Sequence, residues 1–161
     1  MNQMEMSKYL KAITACIGII FFLFIVWLLP AIFNKVIPAE YGAAGFWGAC
    51  IVVWLTSIPV FACFWKFWGI CVRIGEDDSF SKENAKALRS MSHCLLADCI
   101  FYVIILAGAC LGEWYKVYGI ILLFGIFMIL VICIAMVILC AALSHLVYKA
   151  SELQEDQDLT I

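Results

Sequence analysis

Charge is what this chain has least of: Asp, Glu, Lys and Arg together make up 14% of its 161 residues, against 66% hydrophobic residues. Soluble domains use apolar residues for roughly half their length, so no water-soluble fold of this size hides such an excess and lipid must be the solvent for most of the chain. The apolar runs do not alternate in polarity, which excludes a membrane barrel. They exceed the length of a span, which leaves helices that satisfy their own backbone. Other absences narrow the function. No two of the nine cysteines are spaced C-x-x-C and none lies in a loop, so no zinc ribbon, disulfide framework or outward-facing thiol oxidoreductase is written here. They read as small buried apolar residues. The first apolar run has no acid at its middle, which a four-helix drug exporter would carry, and the large cysteine-bearing outer loop of a claudin-like or tetraspanin-like protein is missing. A net charge of -2 gives no electrostatic reason to expect direct contact with nucleic acid. No catalytic arrangement emerges, so the expectation is a protein that is not an enzyme, with no catalytic residues, no metal and no cofactor.

What is present are four apolar segments, at about 12–33, 45–72, 92–112 and 117–147. They predict an all-α fold, an integral membrane four-helix bundle forming a single membrane domain over residues 1–161. Lys8 and Lys11 precede the first run, which is longer than a signal-peptide core and lacks a convincing cleavage site, so it is read as a retained span. Trp27 and Pro30 mark its far end as an aromatic anchor and a helix-ending residue. Pro59 lies inside the second span and is expected to kink it, with Thr56 or Ser57 re-satisfying the freed carbonyl. Trp114, Tyr115 and Tyr118 crowd the turn from Glu113 to Lys116 as an interfacial belt. The fourth run is long enough to project beyond the bilayer, and Leu143, Leu146, Ala150 and Leu153 extend its stripe towards an acidic tail over 149–161.

The one long polar stretch, RIGEDDSFSKENAKALR from Arg73 to Arg89, divides the two hydrophobic halves. Gly75 and the acids after it read as a turn. Ser81 is a good N-cap, with Glu83 in the first turn and Phe80 placed to staple onto Ala85. Leu88, Met91 and Leu95 then recur at helical spacing, so an amphipathic helix leads directly into the third span. If the amino terminus is inside, the inner side holds Lys8, Lys11, Arg73, Lys82, Lys86, Arg89 and Lys149, and the outer loops hold Lys35 and Lys116. Seven against two places both termini and the central loop and helix, 73–91, in the cytoplasm.

Two charges fall inside spans, Lys66 and Asp98, and each costs at least ~2.5 kcal/mol at the centre of a membrane helix. Both lie about five residues from the inner ends of their spans, so antiparallel packing is expected to pair them, while snorkelling is the alternative for Lys66. Asp98 reads as structural or as part of a proton or ion relay. His93 and His145 also sit near the inner ends and complete a candidate intramembrane polar cluster. A metal site drawn from His93, Cys94, Asp98 and His145 matches no ligand spacing. Gly108 and Gly112 form a GxxxG pair that would admit another helix, in this chain or in a second copy as a homo-oligomer.

The stretch GEDDSFSKENAKALRSM, and the ending SELQEDQDLTI, resemble a bacterial family of small four-span proteins, domain-of-unknown-function family 2975. The resemblance covers nearly the whole chain, and its most specific pieces are Phe80, Ser81, Lys82, Glu83, Asn84 and the terminal Asp158, Leu159, Thr160 and Ile161. It implies a bacterial cytoplasmic membrane protein. Its genomic neighbours imply a role beside a small helix-turn-helix regulator. It carries no activity. The resulting expectation is a regulatory or docking protein that engages a cytoplasmic partner, such as that regulator, through Phe80, Ser81, Lys82, Asn84, Lys86, Leu88 and Arg89. The alternative is a small transporter or ion- or proton-coupled sensor using Lys66 and Asp98.

Overall fold

The computed structural model describes residues 3–37, 42–76, 78–112 and 120–158. The expectations placed on Pro38, Glu40, Asp77, the Glu113–Lys116 turn with Trp114, Tyr115 and Tyr118, and the terminal Leu159, Thr160 and Ile161 lie outside these residues. Among the described residues the structure is helical apart from short turns, with no strand. Its elements are α1 (Gln3–Leu23), a π-helical turn (Phe24–Leu28), α2 (Leu29–Val36), α3 (Gly42–Gly75), α4 (Lys82–Leu111) and α5 (Ile120–Asp158). Four helical stretches, Met4–Lys35, Gly42–Gly75, Lys82–Leu111 and Leu123–Asp156, are long and apolar enough to cross a membrane.

Pro30 does not end the first helix. Its ring would meet the carbonyl of the preceding turn and it offers no N–H, so the backbone ahead of it widens by one residue: the Leu29 N–H donates to the Phe24 oxygen and the helix continues to Val36. Such π turns are a known way for a helix to absorb a local misfit. Trp27 protrudes on this segment, 78% exposed, where the surrounding medium is lipid. Pro59 likewise sits within an unbroken helix. Thr56 and Ser57 donate to the Val53 and Trp54 oxygens, at 3.1 and 2.7 Å, so neither hydroxyl serves the Leu55 carbonyl that Pro59 deprives of its donor.

The helices pack in chain order, α1 against α3, α3 against α4, and α4 most extensively against α5. Aromatic rings hold the first pair: Phe21 meets Phe61 and Phe64 at 5.5 and 6.0 Å, and Phe22 meets Phe61 at 6.2 Å. Cys63, Ile70, Met91, Leu95 and Cys140 form the core where α3, α4 and α5 converge. The outward faces are apolar and exposed, as expected where lipid is the solvent. Five cysteines, 50, 63, 71, 99 and 140, are buried, and all nine are free thiols.

The face α5 turns inward is not the expected leucine stripe. Leu143, Leu146 and Leu153 are exposed, whereas Leu130, Cys140, Ser144 and Ser151 are buried. With Cys133, Val137 and Val147, which are half-buried, these residues recur at alternating spacings of three and four. That is a heptad seam, and its small members let two membrane helices approach closely.

Candidate functional site

The start of α1, the end of α3, the start of α4 and the end of α5 meet at one end of the molecule, where most of the charge lies. The knot of that end is Asn84, 1% exposed. Its amide donates to the carbonyls of Asp78 and Ser79, at 2.9 and 3.1 Å, and its Oδ1 accepts from Arg73 Nη1 at 3.0 Å. The Asp78 and Glu76 N–H groups donate back to the Arg73 oxygen. Ser81 caps α4 as expected, its hydroxyl oxygen accepting from the Asn84 N–H at 3.3 Å. One buried asparagine thus ties the α3–α4 turn to both helices it joins.

Two further contacts seat the outer helices on this turn. The Ser144 hydroxyl of α5 donates to the Ala85 oxygen at 2.7 Å. The Ser7 hydroxyl of α1 donates to the Cys71 oxygen at 2.6 Å. Ser7 also lies against Gly75, where a Cβ would come within 2.7 Å of its Oγ and 2.9 Å of its Cβ. Only glycine permits that approach. Gly75→Ala is expected to lower stability by about 2 kcal/mol through overpacking, measured by thermal unfolding in lipid. A Gly75→Ala protein as stable as the parent would show that α1 can shift freely.

Phe80 is left out of these interactions. It stands 57% exposed at the lip of a cleft of about 290 Å³, walled by Lys82 and Glu83 of α4 and by Ser151, Gln154 and Glu155 of α5. Lys82 Nζ spans the cleft to Glu155 Oε2 at 2.7 Å. Because Glu155 accepts this hydrogen bond, the Lys82 ammonium is held above its ordinary pKa range. Both partners are solvated, so the pair contributes little stability. Lys86 and Arg89 are exposed nearby, whereas Ser81 and Asn84 are buried and Leu88 packs on the core. The accessible part of the expected docking set is therefore Phe80, Lys82, Lys86 and Arg89.

The intramembrane residues do not gather. His93 and His145 are exposed and Lys66 is half-buried, while Asp98 is 1% exposed. The Lys66–Asp98 ion pair does not form; Lys82–Glu155 is the ion pair among the described residues. The reason is register. The Cys63 thiol donates to the Met91 oxygen across α3 and α4, so Lys66, three residues further along α3, is level with Leu88, and Asp98, seven residues beyond Met91, is level with Thr56. Ten residues of helix, roughly 15 Å, separate their depths. Among the described residues no three His, Cys, Asp or Glu side chains come together as metal ligands. Gly108 has open space where a side chain would be, so no described helix of this chain uses it for close packing.

Sequence reasoning overlooked Ser7 and Ser151, and read Ser144 only as a neighbour of His145 and Glu155 only as part of the acidic tail. The recurrence of small residues at 133, 140, 144 and 151 was the available signal for the α5 seam.

Four long apolar helices with their polar contacts collected at one end define a multi-pass membrane protein. The family model described as "Protein of unknown function (DUF2975)" matches residues 35–161, and the chain belongs to that family. No curated protein and no solved structure matches it.

Proposed function

We propose that this chain is a non-enzymatic docking protein of the bacterial cell membrane, whose charged end faces the cytoplasm and receives a soluble partner, such as a small helix-turn-helix regulator encoded beside it. The excess of Lys and Arg at that end supports the orientation. The carrying observation is Phe80: a large apolar side chain held 57% exposed by a turn that the Asn84 hydrogen bonds fix from beneath. Aromatic anchors on pre-ordered backbone are what protein interfaces use as hot spots. Beside Phe80 the cleft offers charges of both signs, Lys82, Glu83 and Glu155, and Lys86 and Arg89 add basic character to the rim.

The alternative of a transporter or ion-coupled sensor built on Lys66 and Asp98 would need these residues at one site, and their separation in depth argues against it. A homo-oligomer through Gly108 and Gly112 is compatible with docking, since Gly108 lies near the end of α4 opposite the charged end.

The test is binding of the purified regulator to the purified chain in lipid nanodiscs. Phe80→Ala is expected to weaken binding about thirty-fold, the loss typical of an aromatic hot spot worth about 2 kcal/mol, without changing thermal stability. Absence of binding by the parent chain, or equal binding by the variant, would sink this reading.

A further inference from the structure

Asp98 is the one buried Asp, Glu, Lys, Arg or His among the described residues, and it lies where α3, α4 and α5 converge, far from the charged end. It is 1% exposed, and its Oδ1 is a buried oxygen with no hydrogen-bond partner. The titratable groups that face it are the thiol of Cys63 from α3, the Cys99 thiol and Tyr102 phenol of its own helix, and the Cys133 thiol of α5. Thiols and phenols are neutral near pH 7, so none brings a compensating charge. Among the described residues no Lys, Arg or His forms an ion pair with it, and the register places Lys66 about three turns away. The neighbouring hydroxyls are already committed, since Thr56 and Ser57 donate to carbonyls of their own helix.

An ionised carboxylate in such surroundings has lost its water and gained nothing in return. Buried groups in that position take up a proton rather than stay charged. We infer that Asp98 is a buried proton-binding site, its carboxyl carrying one proton in the membrane-embedded chain. The ligand is the proton itself. Protonation also changes what the side chain can do: the acid becomes a donor, level with Thr56, the residue that follows Leu55, whose carbonyl Pro59 leaves without its helical N–H. Deprotonation would place an unpaired negative charge at the meeting point of three helices and drive them apart.

The experiment is infrared spectroscopy of the full chain in vesicles of ether-linked phosphatidylcholine, which has no ester carbonyl, at pH 7, compared with Asp98→Asn. The C=O stretch of a protonated carboxylic acid is expected in the parent chain and absent from the variant, because solvated acids are ionised at that pH. A parent spectrum without this band overturns the inference, and that result does not depend on whether the variant folds. Thermal unfolding of the parent chain supplies the second readout. If the proton is the ligand, stability is highest in mildly acidic buffer and declines as pH rises and the carboxyl is forced to ionise, and Asp98→Asn abolishes that decline. Stability that instead rises when sodium replaces a large organic cation would assign the site to a metal cation and overturn the proton.

Discussion

Replacing Asn84 with alanine is expected to destabilise the protein by about 3 kcal/mol, because three side-chain hydrogen bonds are lost at once at ~1 kcal/mol each and part of the turn they satisfy is buried. Asn84→Asp separates the two explanations for that loss. Aspartate keeps the shape and adds a charge that Arg73 would welcome, so a site held mainly by electrostatics would tolerate it. The geometry says otherwise. The Asn84 amide nitrogen donates to two carbonyls, of Asp78 and Ser79, and a carboxylate would turn an acceptor towards both. Asn84→Asp is therefore expected to be no more stable than Asn84→Ala, with amide hydrogen exchange accelerated over 78–85 in both variants. Thermal unfolding of the two proteins in nanodiscs decides the matter, and an aspartate variant close to the parent would mean that Arg73 rather than the turn is the important partner. Because the same turn presents Phe80, both substitutions are also expected to weaken partner binding, although Asn84 itself is out of a partner's reach.

The features legible in the sequence were those that depend on one helix at a time. Apolar run length indicated four spanning helices, and the Ser81 cap with its stripe of Leu88, Met91 and Leu95 located the start and inward face of α4, where Met91 and Leu95 are buried and Leu88 packs against them, since capping and helical periodicity are local. Features that depend on two helices at once were not legible. Lys66 and Asp98 lie at equal distances from the ends of their apolar runs, yet the runs do not mark where the helices turn: α3 continues to Gly75 and α4 begins at Lys82. The offset sets the register, and the register separates the charges. Pro30 illustrates the opposite limit, where a local rule predicts a break but apolar residues on both sides favour a continuous helix, and one widened turn reconciles them. Asn84 was legible as part of a specific motif but not in its role, because an asparagine in a polar stretch reads as surface until the carbonyls it holds are in view.

The seam between α4 and α5 makes the remaining strong prediction, and it turns on size rather than on hydrogen bonding. Ser144 is buried and donates to Ala85, but interhelical hydrogen bonds in membranes contribute only about 0.6 kcal/mol on average. Ser144→Ala should therefore be almost neutral. Ser144→Leu should not be, because a large side chain would be forced into a contact made of Cys140, Ser144 and Ala85, all buried, and overpacking there costs about 3 kcal/mol. Moving α5 outward would also stretch the Lys82–Glu155 pair from its 2.7 Å and open the cleft beside Phe80. The leucine variant is thus expected to lose both thermal stability and partner binding, while the alanine variant keeps both. If the leucine variant matched the alanine variant in lipid, the seam would have room to spare, and the small residues at 133, 140, 144 and 151 would need another explanation. If the leucine variant alone failed, close packing of α4 on α5, rather than the exposed ion pair above it, would be what positions the docking face.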